Sequence, residues 1–295
     1  MIAVMGATGH TGARVARILL DAGEKVRAIG RSRHKLADLE AAGADVASGD
    51  AADAAFLASC FRGVDGVYAL IPPSPQAPDH RAAQDALGEA IIEALRGVSV
   101  GRVVFLSSIG GQVPAGTGPI AGLHAQEQRL GRLQGVDVLI LRPAYFFENF
   151  YETLGLIKHQ GINGGAVAAD LRVPMIATRD IADVAAQALR QRNWGGVVVR
   201  ELLGQRDLTH AECTRILGAR IGRPDLPYVQ FPYDDYTRTL VQMGLSPSAA
   251  FDVAQLARAL NEGLVTSVEE RTAENTTPTR FEEFAEEFAR AYEAA

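Results

Sequence analysis

A glycine-spaced loop at the amino terminus constrains the fold of this chain more than any other feature. The apolar run from Met1 to Met5 leads directly into Gly6-Ala-Thr-Gly9-His-Thr-Gly12, and residues at helical spacing follow. The first glycine lets a strand turn sharply, the second lets backbone N–H groups approach a phosphate, and the third lets the helix pack against the strand. The loop therefore predicts a βαβ unit that binds a dinucleotide; the alternative is a glycine-rich turn without a ligand.

Short apolar runs then alternate with helical patterns, which is typical of a parallel sheet buried on both faces. The predicted strands are 25–29, 44–48, 65–71, 101–107, 136–142 and 196–203, and the predicted helices are 33–42, 52–62, 79–97, 122–134 and 179–191. This alternation predicts an α/β chain with a doubly wound parallel sheet, a Rossmann fold.

The alternation ends near residue 145, and this change predicts the domain organisation. We expect an NAD(P)-binding domain over 1–150, completed by about 176–203, and a smaller, mainly helical α/β lobe over 151–175 and 204–295. A capping box from Thr279 to Glu282 is predicted to start the last helix, whose aromatic stripe we expect to be core. Ligands are expected between the two lobes, at the carboxyl ends of the strands.

Composition and charge exclude several classes of protein. The net charge of −6 argues against a nucleic-acid-binding protein. Cys60 and Cys213 lie far apart without a CxxC partner, which indicates reduced thiols and a cytoplasmic protein. No apolar run approaches the roughly 18 residues that a membrane span needs. The six histidines show no metal-ligand spacing, so no metal is predicted, and a serine hydrolase elbow is absent.

The residues after the second predicted strand indicate which dinucleotide binds. An NAD-binding fold usually has an acidic residue there, but this chain has Arg31-Ser-Arg33-His-Lys35. If Ser32 caps the next helix, the following cations lie in its first turn, where a bound 2′-phosphate would compensate their unfavourable position. We therefore expect NADP(H) rather than NAD(H); the alternative is a solvated basic surface. Asp50 is interpreted either as an acceptor for the adenine amino group or as the cap of helix 52–62.

These residues resemble the NmrA-like family of atypical short-chain dehydrogenases/reductases over nearly the whole chain. The matching pieces are Gly6–Gly12, Arg31, Gly49-Asp50, Ser107-Ser108 and the stretch Leu141-Arg-Pro-Ala-Tyr-Phe-Phe-Glu-Asn149. The resemblance is closest to the NADPH-dependent quinone-oxidoreductase-like branch. It implies a Rossmann domain, a small lobe and NADP(H) as cofactor. The family also includes NADPH sensors and regulators with little or no catalysis, so a redox-sensing regulator is the alternative function.

One departure from the wider superfamily bears on the reaction. Active dehydrogenases carry Tyr-x-x-x-Lys on the helix after the fifth strand, whereas this chain has His124-x-x-x-Gln128. The missing relay argues against an alcohol dehydrogenase or an epimerase. Hydride addition to a quinone yields an anion whose pKa is near that of a phenol, about 10, so water or one weak acid suffices. We therefore expect hydride transfer from NADPH to a quinone or a similar electron-poor small molecule.

The predicted site residues divide by role. The predicted catalytic residues are His124, Ser107 and Tyr145. The predicted cofactor-binding residues are Gly6, Thr8, Gly9, His10, Thr11, Gly12, Arg31, Arg33, Lys35, Asp50, Ala51, Leu70, Ile71, Pro72, Ser107 and Pro143. The predicted substrate-binding residues are Tyr145, Phe146, Asn149 and Phe150.

Each of these interpretations has a structural alternative, and the partners are only partly constrained. His124 fits a helix-surface histidine equally well, Ser107 fits a cap of the strand-to-loop turn, and the aromatic residues fit an inter-lobe core. The expected partner is a small-molecule acceptor, and the resemblance leaves open a homodimer or a regulatory protein partner.

Overall fold

The computed structural model describes residues 1–295 without a gap. The strands are β1 (Ile2–Val4), β2 (Val26–Gly30), β3 (Asp45–Ser48), β4 (Gly66–Leu70), β5 (Arg102–Leu106), β6 (Asp137–Pro143), β7 (Tyr145–Phe146), β8 (Asn163–Gly165), β9 (Val173–Ile176), β10 (Val197–Leu202), β11 (Arg206–Leu208) and β12 (Tyr228–Gln230). The α-helices are α1 (His10–Asp21), α2 (Ala37–Ala41), α3 (Ala54–Phe61), α4 (His80–Arg96), α5 (Ile120–Leu130), α6 (Leu154–Gln160), α7 (Thr178–Gln191), α8 (His210–Arg220), α9 (Tyr233–Gln242), α10 (Pro247–Asn261) and α11 (Phe281–Ala294). None of these helices combines the length and the apolar character that a bilayer span requires.

Seven parallel strands form the central sheet, in the order β10-β6-β5-β4-β1-β2-β3. Helices α3, α4 and α5 pack on one face, and α1 and α7 pack on the other. Because the chain runs outward from β1 in both directions, the sheet is doubly wound, and the carboxyl ends of β1 and β4 meet at its centre. The predicted Rossmann fold is confirmed.

The rest of the chain builds smaller sheets and helices beside this one. A three-stranded sheet has the order β11-β9-β7, and β8 pairs with β12. In α11, Phe281, Phe284 and Phe288 are buried, so the aromatic stripe is core, as predicted. These rings belong to the same apolar cluster as side chains of α1 and α7. The smaller sheets and the central sheet therefore share one continuous core.

Three predicted helix starts are wrong. Ser32 does not cap a helix; a 3-10 helix over His34–Leu36 precedes the short α2. The Asp53 carboxylate, not that of Asp50, accepts the N–H groups of Ala55 and Phe56 and caps α3. Asp50 and Asp53 both precede α3, so residue type alone did not determine which aspartate the backbone turn would present to the helix.

The third error concerns the last helix. The Thr279 hydroxyl donates 2.6 Å to the buried Asp180 carboxylate instead of capping α11. Helix α11 begins at Phe281, and the Glu283 carboxylate accepts the N–H of Arg280 at 3.3 Å. Water can hydrate the exposed end of a helix but not a buried carboxylate. Leaving Asp180 without a donor would therefore cost more free energy than leaving α11 without its threonine cap, so the Thr279 hydroxyl bonds to Asp180.

Candidate functional site

The glycine loop forms a cradle at the amino end of α1. Gly6 is left-handed, with φ +63°, and a Cβ on Gly12 would lie only 2.3 Å from the Gly6 carbonyl oxygen. The loop therefore packs against α1 at a distance that only glycine allows. The helix has no side-chain cap at Gly9, and the N–H groups of His10, Thr11 and Gly12 donate to no atom of the chain. This arrangement fits a pyrophosphate, whose oxygens would accept from these donors.

Two of the basic residues after β2 differ in their surroundings. Arg31 is exposed and has no ion-pair partner, whereas Arg33 forms an exposed salt bridge with Glu40. Lys35 is also exposed, in the 3-10 helix. The sheet places these cations beside the glycine loop, because Gly30 lies against Thr8, whose Cγ2 would be 3.2 Å from a Cβ there. Arg31 is therefore the arginine of this run that is free to pair with a 2′-phosphate.

Other predicted cofactor residues line the same edge of the sheet. The Asp50 carboxylate accepts the N–H of Ala52 at 2.9 Å and is exposed. Leu70 ends β4 beneath the loop, where its Cδ2 would be 2.9 Å from a Cβ on Gly6. Ala51, Ile71 and Pro72 are half-buried, and Pro143 is buried at the end of β6.

A buried charged network lies behind Ser107. The Ser107 hydroxyl donates 2.5 Å to Glu127, and the Arg142 guanidinium donates to both oxygens of that carboxylate, at 3.0 and 2.5 Å. Only 3% of the Glu127 side chain and 10% of that of Arg142 are exposed, so the pair is desolvated and bidentate. Ser107 is thus fixed by Glu127 and can offer a ligand only its oxygen lone pairs.

Sequence reasoning assigned no role to Glu127 or Arg142, although a signal was present. Arg142 interrupts an apolar run that forms a strand buried on both faces, and a charge in such a strand needs a partner. Glu127 stands three residues after His124 on α5, one turn along the same helix.

His124 is half-buried on α5, and its Nδ1 lies 2.9 Å from the carbonyl oxygen of Gly111. A carbonyl oxygen only accepts, so Nδ1 carries the proton of the neutral ring, and Nε2 is then an acceptor. Nε2 can donate a proton only when the imidazole is doubly protonated. Helix α5 contains neither tyrosine nor lysine.

The predicted aromatic cluster splits into two groups. Phe147 and Phe150 are buried, and Phe150 packs against Phe281 with ring centroids 5.3 Å apart. Tyr145 and Phe146, like Asn149, are half-buried. The surrounding protein raises the pKa of the Tyr145 phenol well above its usual value by excluding water, so this phenol stays protonated at neutral pH. Tyr145 is therefore no base, and Phe150 lies in the inter-lobe core.

Glu148, in the stretch that carries the family resemblance, connects the segment after β6 with α7. Its carboxylate accepts the backbone N–H and the hydroxyl of Thr178, at 3.0 and 2.6 Å, and so caps α7. Burial raises the pKa of Glu148, and the bonds from Thr178 partly oppose that rise. The Glu148 carboxylate already lies at the amino end of α7, whereas no side chain caps the amino end of α1, which packs against α7.

Comparison with known proteins gives matches along nearly the full chain. The profile of the NmrA-like family matches residues 1–285. An NAD(P)H azoreductase of Xenophilus azovorans is 28% identical over 297 residues, which cover 100% of both chains. The structure of an NADPH-dependent quinone oxidoreductase from Escherichia coli, complexed with NADPH, has a TM-score of 0.81 at 22% identity, covering 98% of this chain and 99% of that one.

A third similar protein is the triphenylmethane reductase of a Citrobacter species, complexed with NADP(H). Its structure has a TM-score of 0.79 at 21% identity and covers 98% of this chain and 100% of that one. At such identities, the two structural matches establish a shared fold.

Proposed function

The chain belongs to the NmrA-like family, and from that premise we propose that it is an NADPH-dependent oxidoreductase. Its substrate is a quinone or a similar electron-poor small molecule, which receives a hydride. The observation that carries the proposal is the set of free backbone N–H groups at His10, Thr11 and Gly12, beside the unpaired Arg31. The three N–H groups can donate to the pyrophosphate, and the Arg31 guanidinium can pair with a 2′-phosphate.

The choice of acceptor rests on the relatives and on α5. The similar proteins are named as an azoreductase, a quinone oxidoreductase and a triphenylmethane reductase, and azo compounds, quinones and triphenylmethane dyes are all conjugated acceptors. Reduction of a quinone leaves a weakly basic anion, so it needs no Tyr-x-x-x-Lys relay, and α5 carries none. NADPH supplies the hydride when bound, and this chain contributes orientation at the carboxyl edge of β5 and β6.

The test is oxidation of NADPH by the purified protein with quinones, azo dyes and triphenylmethane dyes, with NADH in parallel. We expect saturable, acceptor-dependent loss of the absorbance of the reduced nicotinamide, faster with NADPH than with NADH. Tight binding of NADPH without turnover would instead indicate the redox-sensing regulator. Equal affinity for NADH and NADPH would contradict the cofactor assignment.

The proton source is tested by substitution of His124. If His124 is the acid, His124→Ala lowers turnover with the quinone at unchanged affinity for NADPH. If water is the source, wild type and His124→Ala turn over at the same rate. His159→Ala, at an exposed histidine on α6, is the matched control for the loss of an imidazole.

A further inference from the structure

The imidazole of His210 is a buried polar group without a partner. His210 begins α8 and is only 4% exposed. Neither Nδ1 nor Nε2 makes a hydrogen bond within the chain. Buried polar groups are nearly always paired, because an unpaired one loses its hydration without compensation, so an unpaired one calls for an explanation.

Aromatic rings surround this imidazole on three sides. Its centroid lies 5.3 Å from that of Tyr145 and 5.5 Å from those of Phe150 and Tyr228. Tyr145 comes two residues after the end of β6, at the sheet edge where the nicotinamide is expected, and it is half-buried. The imidazole therefore packs directly against a partly exposed tyrosine at that sheet edge.

The charge state of His210 limits what it can do. Burial lowers its pKa to about 4, so at neutral pH the ring is uncharged, with one N–H donor and one acceptor nitrogen. The neighbouring Tyr228 hydroxyl donates 2.8 Å to the Val167 carbonyl oxygen, and neither imidazole nitrogen is hydrogen-bonded to it. A neutral imidazole in an apolar site binds a carbonyl oxygen well, and it stabilises negative charge that develops there.

We propose that the His210 N–H binds a carbonyl oxygen of the acceptor, and that the acceptor is therefore a flat ring that carries such an oxygen. This inference rests on the proposed function. Because both nitrogens are enclosed, the acceptor reaches them when the Tyr145 ring turns aside, and the acceptor ring then packs in its place among the aromatic side chains.

The chemistry balances for a quinone. Bound NADPH would supply the hydride: its nicotinamide C–H bond would break, the quinone would take the hydrogen with the electron pair of that bond, and NADP⁺ would remain. An O–H bond forms at one quinone oxygen, while negative charge develops on the other. The His210 N–H stabilises that second oxygen, which then takes a proton, from His124 or from water, to complete the hydroquinone.

Two acceptors separate this role from a structural one: a benzoquinone, which has two carbonyl oxygens, and a cationic triphenylmethane dye that contains no oxygen. In His210→Phe, we expect kcat/KM for the quinone to fall about tenfold or more, because a buried hydrogen bond to a developing charge is lost. For the dye we expect a change of less than about twofold, because phenylalanine fills the same space. His210→Gln, which keeps an N–H donor, should recover part of the quinone activity.

Thermal unfolding gives a readout that does not depend on turnover. Because phenylalanine removes an unpaired polar group, His210→Phe should melt no lower than wild type, with unchanged affinity for NADPH. A lower melting temperature would mean that the imidazole has a structural partner and would overturn the inference. Equal losses for both acceptors, or an unchanged rate with the quinone, would also overturn it.

Failure of the proposed function is distinguishable from failure of this inference. If wild type binds NADPH but reduces neither acceptor, both fail. If wild type reduces the dye and not the quinone, the oxidoreductase stands and only the carbonyl-binding role of His210 is lost.

Discussion

Arg31 and Arg33 are two residues apart, but only one is free to bind a phosphate. We expect Arg31→Ala to weaken NADPH binding about tenfold or more, because a charge-assisted hydrogen bond contributes about 1.5–3 kcal/mol. NADH, which lacks the 2′-phosphate, should bind to this variant as it does to wild type. Arg33→Ala is the matched control, with a smaller effect because Arg33 is paired with Glu40. Calorimetric titration with both cofactors measures the difference, and equal losses for NADH and NADPH would contradict it.

His210 should also make the folded protein sensitive to acid. An unfolded histidine takes up a proton near pH 6.5, whereas burial holds the pKa of His210 at about 4. Between pH 4 and pH 6.5 the unfolded chain therefore binds more protons than the folded chain does. The free energy of unfolding is highest above pH 6.5, where His210 is neutral in both states, and it decreases as the pH falls toward 4. The full effect is about 3 kcal/mol by linkage. Urea unfolding at pH 7.5 and pH 5 should show a larger stability advantage of His210→Phe at the lower pH; a constant advantage would contradict this.

The candidate site was only partly predictable at the level of side chains, because some of its contacts are not local. The glycine loop places its donors within seven residues, so its spacing predicted its shape. The Ser107–Glu127–Arg142 network joins residues that are 20 and 15 positions apart, and it depends on how β5, β6 and α5 pack. His210 reaches Tyr145 through pairing of β7, β9 and β11, which short strand patterns do not specify.

Helix α1 depends on a glycine where it crosses β1. We expect Gly12→Ala to destabilise the protein by roughly 1–3 kcal/mol, since its Cβ would lie 2.3 Å from a backbone oxygen that cannot turn away. Because this contact would push α1 away from β1, it should also displace the free N–H groups of His10, Thr11 and Gly12 and weaken NADPH binding. Gly155→Ala on α6 is the matched control: nothing lies within 4 Å of that Cβ, so the variant should be neutral or up to about 1 kcal/mol more stable. Urea unfolding compares them, and similar losses in both variants would contradict the packing argument.

The elements themselves were more predictable than their ends. Six predicted strands of the central sheet occur within about two residues of their expected bounds, because a buried parallel strand is a plain apolar run. The ends depend on single hydrogen bonds, and Asp50 and Thr279 found partners other than a helix amino terminus. The sequence did not predict the short strands β7, β8, β9, β11 and β12. Each has only two to four residues, which is too few to show a periodic pattern.

A junction near the expected cleft joins α10 to the loops after β4 and β5. Ser248 accepts the N–H of His80 at 3.0 Å, Asp252 pairs with the His80 Nδ1 at 2.8 Å, and Gln255 accepts the N–H of Gly118 at 3.0 Å. The contact at Gly118 is close, because a Cβ there would be 2.0 Å from the Asp252 carbonyl oxygen. The loops that would border the nicotinamide are thus held by α10.

This arrangement predicts that the junction can be loosened without unfolding the sheet. Asp252→Ala leaves the buried His80 Nδ1 without its partner, which costs roughly 1–3 kcal/mol, so opening of the junction should be about 10- to 100-fold more frequent. Amide hydrogen exchange should accelerate in residues 110–119 and around His80, and remain slow in β1 and β4. Asp183→Ala breaks an exposed ion pair with Arg14, away from α10. It is the control and should change exchange in neither region, because exposed pairs contribute about 0–1 kcal/mol.

Bound NADPH gives a second measurement, because a ligand at 100 times its Kd stabilises the folded state by about 2.7 kcal/mol. If the cofactor lies beneath the loops at residues 110–119 and around His80, NADPH should slow amide exchange there more than in α3. Uniform acceleration in Asp252→Ala would mean that the lobes and the sheet open as one unit, and α10 would then have no separate role at the cleft.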